Sequence, residues 1–315
     1  MTSPPDAPAP LLVVTGPTAS GKTGLALEVA AAHGFEILSM DSMAVYRGMD
    51  IGTAKPSAAE RERVPHHLID LVDPHEGFDT ARWCDAAAKA LADVHARGRT
   101  ALFVGGTPLY LMAFFKGMME GPAADVAFRE ALEARERAQP GSLFEELQQK
   151  DPVAASRIHR KDLRRIVRAL EVHTKTGRPI SEQQQQFERQ GWLRPCRIVA
   201  VHRDRDDLHL RVRERTEAML DAGLLDETER IERSGGFSRT AAAAIGYAEC
   251  RDFLRGRYKD RAELRNRIRR NTHQLIRRQT TWLRRLTEIT WIAPAVGATG
   301  LARALSAAVS EDGRR

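Results

Sequence analysis

The chain contains 315 residues, enough for about two domains and a sizeable core. Its 42% hydrophobic and 29% charged residues are typical of globular proteins, which excludes the disordered and fibrous classes. The three cysteines lie far apart and form no C-x-x-C pair, so we expect neither a disulfide framework nor a cysteine zinc site. No apolar run reaches the roughly 18 residues that a membrane span needs, and we expect a cytoplasmic protein.

Charge is distributed unevenly along the chain. Lysine and arginine total 49 against 42 acidic residues, which gives a formal net charge of +7. Residues 1–120 carry 10 basic and 14 acidic side chains, whereas residues 251–285 carry 13 basic and 3 acidic ones. This imbalance predicts a polyanionic partner for the C-terminal part of the chain.

The first 120 residues alternate between strand and helix patterns. Residues 1–10 hold four prolines and neither a basic nor an apolar stretch, which predicts a disordered tail and not a signal peptide. An apolar run at 11–15 precedes a glycine-rich turn and a helix that we expect to end at Gly34. Further strand patterns follow at 36–40 and 101–104. Strand-helix alternation predicts an α/β fold, with a parallel sheet covered by helices on both faces.

The pattern becomes helical over residues 121–195. Leu163, Ile166, Val167 and Leu170 fall at i, i+3, i+4 and i+7, and Asp162 precedes them as an N-cap candidate. A strand pattern returns at 196–202. We therefore predict an all-helical insertion at 121–195 inside a catalytic core formed by residues 11–120 and 196–315.

The last long helix is expected over residues 261–286. One face carries apolar side chains, among them Leu275 and Trp282, and its other faces are rich in arginine. This spacing predicts that Trp282 belongs to the core.

The most specific motif is GPTASGKT, which lies between a predicted strand and a predicted helix. Glycines let backbone N–H groups converge on phosphate oxygens, and the helix N-terminus adds partial positive charge. The motif predicts a P-loop NTPase-like core that binds a diphosphate through Gly16, Pro17, Thr18, Ala19, Ser20, Gly21, Lys22 and Thr23. The Thr23 hydroxyl is placed to hold Mg²⁺ on the same phosphates.

A phosphate loop alone does not specify a reaction. The predicted strand at 101–104 ends in Gly105-Gly106-Thr107, without the acid that an ATPase normally places there. Asp41 instead follows the second strand, where it is either a base or metal partner, or a turn residue that closes the strand. The missing late acid argues against phosphate-bond hydrolysis as the main reaction.

Further motifs follow the phosphate loop in a fixed order. They are DSMAVYRGMDIGTAKP at 41–56, PHHLID at 65–70, GGTPLY at 105–110, RIHRKDLRRIVRALEV at 157–172, IGY at 245–247 and RRQTTWLR at 277–284. Together these motifs resemble the tRNA dimethylallyltransferases, the tRNA isopentenyltransferase family that modifies adenine 37 beside the anticodon. The resemblance covers about residues 11–290.

The resemblance implies a donor, dimethylallyl diphosphate, whose pyrophosphate occupies the phosphate loop with Mg²⁺. It also implies that Asp41 is the general base for the adenine amine and that Thr18 contacts the leaving group. The leaving pyrophosphate needs cationic stabilisation. Arg211 and Arg215 match the family's Arg-x-x-x-Arg pattern one helical turn apart, and we favour Arg211 as the catalytic arginine.

The second partner implied by the resemblance is the anticodon stem-loop of a tRNA, from which an adenine must be extruded. Arginines are expected to bind its phosphates, and Tyr247 to stack on its bases. Family matching places tRNA contacts at Asp41, Ser42, Met43, Ala44, Thr107, Arg129, Arg164, Arg165, Arg168, Ile245, Gly246, Tyr247, Arg277, Arg278, Gln279 and Arg284. For the arginines at 164–168, the alternative is a solvated helix face. A monomer suffices for this work.

Three other functions compete with this interpretation. A small-molecule kinase would place ATP in the phosphate loop and would need no basic C-terminal helix. An adenylate isopentenyltransferase would act on free AMP, which requires neither that helix nor the insertion. An RNA-binding nucleotide switch would carry out no transfer chemistry.

Overall fold

The computed structural model describes residues 9–117, 121–122, 124–183 and 192–306. The predicted tail at 1–10 lies outside this part of the chain, except for its last two residues. The chain separates into two compact units. One combines Met1–Phe115 with Arg194–Arg315, and the other is Lys116–Leu193, which overlaps the helical insertion predicted at 121–195.

The first unit is built on a six-stranded parallel sheet. Its strands are β1 (Leu11–Thr15), β2 (Glu36–Ser39), β3 (His66–His67), β4 (Ala101–Val104), β5 (Cys196–Val201) and β6 (Ile289–Ile292). They follow the order β3-β2-β4-β1-β5-β6, and all neighbouring strands run parallel. The predicted α/β fold with a P-loop type of sheet is confirmed.

The register brings the carboxyl ends of four strands to one edge of the sheet. Val14 of β1 pairs with Val104 of β4 and with Val199 of β5, and Ser39 of β2 also pairs with Val104. Strand β4 is buried at all four positions, as expected for a central parallel strand that is covered on both faces. The loops that follow these strands are therefore neighbours, and ligands of such sheets bind there.

Nine helices can be placed in the described residues of this unit. They are α1 (Lys22–His33), α2 (Ala58–Arg63), α3 (Thr80–Ala96), α4 (Pro108–Phe115), α10 (Arg205–Asp221), α11 (Leu224–Arg233), α12 (Tyr247–Leu254), α13 (Arg261–Leu283) and α14 (Gly297–Ser306). One core cluster joins Val14, Leu102 and Val199 of the sheet to Ala26 of α1 and Leu301 of α14. Burial of these apolar side chains is the main stabilising contribution at this layer.

Helix α13 buries part of the apolar face that the sequence predicted, at Leu264 and Ile268, but Leu275 on that face is only partly buried. Its buried residues are Leu264, Ile268, Ile276, Gln279 and Leu283. Trp282 is partly exposed, so the prediction that it belongs to the core is wrong. The buried stripe includes a glutamine, which a search for apolar periodicity does not count.

The second unit contains five helices within its described residues. They are α5 (Val126–Ala138), α6 (Ser142–Lys150), α7 (Pro152–Arg157), α8 (Leu163–Thr176) and α9 (Ile180–Gln183). The predicted N-cap of α8 is confirmed, because the Asp162 carboxylate accepts a hydrogen bond from Arg165 N–H at 3.3 Å. Ile166, Val167 and Leu170 pack into this unit's own apolar core, as their spacing predicted.

Candidate active site

The phosphate loop lies between β1 and α1 in a conformation that requires glycine at its first position. Gly16 has φ of 142°, and a Cβ atom there would lie 2.5 Å from the Val201 carbonyl oxygen. Gly21, with φ of 89°, leads directly into α1. Thr15 Oγ1 donates a hydrogen bond to the Gly105 carbonyl at 2.9 Å, so the loop is tied to the end of β4.

Side chains from distant parts of the chain hold the outer side of the loop. Gln279 Oε1 accepts a hydrogen bond from Thr18 N–H at 2.9 Å, and Gln279 Nε2 donates one to the Gly106 carbonyl at 2.6 Å. Arg211 Nε donates to the Ala19 carbonyl at 2.9 Å. The loop therefore has an external frame as well as its own hydrogen bonds.

Arg203 adds to this frame from the segment after β5. Its Nε donates a hydrogen bond to the Ser20 carbonyl at 2.8 Å, and its guanidinium pairs with Asp207. Arg203 is not among the site residues predicted from the sequence. An arginine directly after a strand that neighbours the phosphate loop is the signal that points to it.

Lys22, Arg215 and Asp41 interact electrostatically although they are far apart in the sequence. Burial and the nearby Arg215 lower the pKa of Lys22 to about 8, against the opposing effect of Asp41. Burial also lowers the pKa of Arg215, and Asp41 opposes that shift as well. Two desolvated cations beside one carboxylate leave positive charge that an anion would neutralise.

A cavity of about 400 Å³ opens beside this charge cluster. It is lined by Ala19, Gly21, Lys22, Thr23, Gly24, Arg211, Glu214, Arg215 and Ala218. Gly16, Pro17 and Ser20 are buried and do not border it, so they shape the loop and do not face this cavity. Half of the predicted diphosphate residues thus surround a cationic cavity at the N-terminus of α1.

A second cavity of about 290 Å³ also borders on Arg215. Among its lining residues are Thr18, Asp41, Ser42, Met43 and Thr107. Asp41 Oδ1 accepts a hydrogen bond from Met43 N–H at 2.8 Å, so Asp41 both closes a turn and lines the cavity. Asp41 can therefore close the turn and also be a base or metal partner, because the turn uses Oδ1.

Thr107 holds the segment after β2 against the segment after β4. Thr107 Oγ1 accepts a hydrogen bond from Ser42 N–H at 3.2 Å, and Thr107 N–H donates to the Met40 carbonyl at 3.2 Å. A Cβ atom on Gly105 would lie 2.3 Å from the Met40 oxygen, so the close approach needs glycine. This contact explains why GGT follows β4 where an ATPase carries an acid.

The chain can be compared with known proteins. A family model described as IPP transferase matches residues 44–286, which is most of the chain. The chain belongs to the IPP transferase family.

Relatives of this IPP transferase chain match over nearly its full length. A protein named tRNA dimethylallyltransferase from Thermotoga petrophila is 44% identical over 283 residues, which are 89% of this chain and 91% of the relative. A protein of the same name from Geobacter metallireducens is 44% identical over 285 residues, which are 90% of this chain and 92% of the relative.

Solved structures of similar proteins share the fold. The tRNA isopentenylpyrophosphate transferase of Bacillus halodurans matches with a TM-score of 0.65 and 36% identity, over 90% of this chain and 89% of that one. A eukaryotic dimethylallyltransferase, described as acting on tRNA, matches with a TM-score of 0.77 and 25% identity, over 93% of this chain and 77% of that one.

Four residues expected to contact tRNA are buried in this IPP transferase chain, and Gly246 is one of them. Tyr247 is 0% exposed and its hydroxyl donates a hydrogen bond to Glu227, so its ring has no exposed face for the expected stacking on bases. Ala44 is 5% exposed and packs inside the turn closed by Asp41. Gln279 is 8% exposed, and its amide groups are occupied by the phosphate loop frame. Ile245, Gly246 and Gln279 line the second cavity.

The four arginines of the helical unit that were expected to contact tRNA divide into two pairs. Arg129 binds the fully buried Glu171 through Nε at 2.9 Å and Nη2 at 2.7 Å, and Arg168 binds the same carboxylate at 2.6 Å. These contacts stabilise the carboxylate and lower the pKa of Glu171, although burial opposes the shift. Arg129 and Arg168 therefore pair with the Glu171 carboxylate, a contact that was not considered when they were predicted to bind tRNA. Arg164 and Arg165 are exposed.

The arginines of RRQTTWLR are exposed, as a role in binding a polyanion requires. Arg277, Arg278 and Arg284 all lie on the surface at the C-terminal end of α13. Arg278 lines the second cavity, whereas Arg277 and Arg284 line a separate cavity of about 980 Å³. Positive charge therefore extends from the rim of the second cavity across the end of the helix.

The part of the chain that the structure describes holds no group of three or more His, Cys, Asp or Glu side chains placed to bind a metal ion. In the described ranges, no helix has both the length and the apolar surface to cross a membrane.

Proposed function

We propose that this chain transfers the dimethylallyl group of dimethylallyl diphosphate to the N6 amine of adenine 37 in tRNA. The observation that carries the proposal is the position of Arg215, which borders both the cationic cavity and the cavity that contains Asp41. This arrangement gives an anionic leaving group and a nucleophile separate places on either side of one guanidinium. The relatives are named tRNA dimethylallyltransferases, which agrees with the transferred group and with tRNA as the acceptor.

The first cavity suits the pyrophosphate of the donor. Lys22 and Arg215 are desolvated cations, and the N-terminus of α1 adds its partial positive charge. As the bond between C1 and the bridging oxygen breaks, its electron pair leaves with the pyrophosphate. Preorganised cations stabilise that developing charge better than water does.

We assign the catalytic arginine to Arg215 in place of the initially favoured Arg211. Arg211 Nε is already bound to the Ala19 carbonyl, which gives that residue a framing role in the phosphate loop. Arg215 interacts electrostatically with both Lys22 and Asp41 and borders both cavities. Its charge therefore lies where the leaving group would separate from the acceptor.

The second cavity suits the adenine amine. This nitrogen is a weak nucleophile because its lone pair is delocalised into the ring, so a general base must accept its proton. Asp41 lines the cavity, and the turn uses its Oδ1 atom. In the proposed step the amine nitrogen bonds to C1 of the donor, and its proton passes to Asp41. Thr18 lines the same cavity, consistent with a contact to the leaving oxygen.

Magnesium is the proposed cofactor, and the oxygen donors at the first cavity fit it. The Thr23 hydroxyl is exposed at the start of α1 and lines the cavity beside Lys22. Bound Mg²⁺ would neutralise charge on the donor's phosphates. A hydroxyl from the protein, with the remaining ligands from phosphate and water, is the usual pattern for this ion.

The proposed tRNA contact is the basic surface at the end of α13. Arg277, Arg278 and Arg284 are exposed there, and Arg278 reaches the rim of the second cavity. Phosphates of an anticodon stem-loop would bind this surface while the extruded adenine enters the cavity. The proposed site uses residues of a single chain, so a monomer would suffice, and we propose that it acts on tRNA in the cytoplasm.

The residues that follow β4 do not support the alternative function of a small-molecule kinase. Strand β4 is followed by Gly105, Gly106 and Thr107, which make close backbone contacts and supply no carboxylate. A P-loop ATPase normally holds its metal with an acid at the end of such a strand.

The deciding experiment incubates the protein with unmodified tRNA and labelled dimethylallyl diphosphate, followed by nucleoside analysis. Label is expected in adenosine from the anticodon loop. Asp41→Asn keeps the turn acceptor but is a poor base, so transfer should fall at least about 100-fold with tRNA affinity nearly unchanged. Asp73→Asn is the matched control, because Asp73 pairs with Arg47 at the surface. Consumption of ATP without labelled adenosine would favour the kinase.

A further inference from the structure

A buried hydroxyl and a buried carboxylate hold two successive backbone amides of one loop. The Tyr247 hydroxyl, at the start of α12, accepts a hydrogen bond from Gly52 N–H at 3.1 Å and donates one to Glu227 of α11. Glu227 also accepts a hydrogen bond from Ile51 N–H at 3.0 Å. Tyr247 is 0% exposed and Glu227 is 3% exposed, so water does not compete for these groups.

The tyrosine ring also fixes this loop by direct contact. A Cβ atom on Gly52 would lie 2.3 Å from Tyr247 Cε2 and 3.0 Å from Leu224 Cδ1. Only glycine allows the backbone to approach the ring this closely. The hydrogen bonds therefore act on a segment that packing already presses against Tyr247.

The two backbone segments joined by Tyr247 are both walls of the Asp41 cavity. Gly52 and Thr53 line it from the loop, and Ile245 and Gly246 line it from the turn that precedes α12. The side chain of Tyr247 does not itself line the cavity. The Tyr247 hydroxyl thus fixes the distance between two walls of the cavity, although the Tyr247 side chain is not part of either wall.

We propose that Tyr247 and Glu227 are positioning residues that fix the width of the acceptor slot, the part of the Asp41 cavity between Gly52–Thr53 and Ile245–Gly246. This inference rests on the proposed function. A planar purine needs two walls at a fixed separation if its exocyclic amine is to stay within hydrogen-bond reach of Asp41. Small misplacements of a reacting group cost large factors in rate, so a lost clamp should reduce transfer to tRNA.

Tyr247→Phe tests the proposal, because it removes only the hydroxyl. We expect kcat/KM for tRNA to fall about tenfold, which equals about 1.4 kcal/mol. The KM for dimethylallyl diphosphate should not change, since the donor cavity shares no residue with the clamp. Tyr258→Phe is the matched control, because it removes a hydroxyl that bonds to Asp252 at 3.3 Å on the other side of α12.

All assays are made well below the melting temperature of each variant. If Tyr247→Phe does not fold, Glu227→Gln decides, since it keeps the side-chain shape and alters the same hydrogen bonds. A lower melting temperature with an unchanged kcat/KM for tRNA would overturn the inference, because the hydroxyl would then only stabilise the fold. An equal rise in the donor KM would also overturn it. Loss of transfer in the unmodified protein would instead contradict the proposed function.

Discussion

Replacing Gln279 by leucine tests whether the external frame sets the geometry of the phosphate loop. The side chain joins Thr18 N–H at 2.9 Å to the Gly106 carbonyl at 2.6 Å, and it is 8% exposed. Leucine has a similar volume but makes neither hydrogen bond. Each bond contributes about 1 kcal/mol, and leaving its loop partner without a substitute raises the combined cost to about 2–4 kcal/mol.

The loss of this frame should appear in donor binding as well as in stability. We expect the free energy of unfolding in urea to fall by about 2–4 kcal/mol and the KM for dimethylallyl diphosphate to rise about tenfold or more. Gln274→Leu, an exposed position on the same helix, is the matched control. If Gln279→Leu equals that control in both stability and donor KM, the frame does not position the loop and the reasoning is refuted.

Two further predictions concern charge. The pKa of Lys22 is lowered to about 8, so above pH 8 the free lysine is largely neutral and must take up a proton when the donor binds. The affinity for the donor should then fall by up to about tenfold per pH unit, whereas below pH 8 it should not change with pH. Calorimetry at pH 9 in buffers of different ionisation enthalpy measures this uptake, and its presence in Lys22→Arg would contradict the assignment. Reversing the charge of Arg277 and Arg278 should weaken tRNA binding. It should also lower the slope of log affinity against log salt concentration by the amount that corresponds to about two phosphate contacts. An unchanged salt slope in filter binding would remove these residues from the proposed tRNA surface.

The sequence predicts the parts of the molecule in which the signal is local. The phosphate loop combines a strand, glycines and a helix start within 23 residues, and strand patterns predict β1, β2, β4 and β5 but not the edge strands β3 and β6. The cap of α8 at Asp162 is equally local, because a side chain bonds to a backbone amide three residues away.

The sequence does not predict contacts that depend on which way a side chain points in the folded protein. Gln279 appears polar, yet it lies on the buried stripe of α13 because the loop supplies a donor and an acceptor for its amide. Arg129 and Arg168 were interpreted as RNA contacts, but a buried Glu171 uses them as partners. The burial of Tyr247 likewise depends on Glu227, which nothing near it in the sequence indicates.

The hydrogen bond from Thr18 N–H to Gln279 spans 261 residues and has a consequence during synthesis. A chain emerging from the ribosome presents the phosphate loop early, but α13 is synthesised only after β5, the strand that pairs with β1. Until then the loop lacks its outer support, and such distant contacts form slowly because a long loop must close first. The nascent protein should therefore acquire its affinity for the donor late, in a single step, once nearly all of the chain has been made.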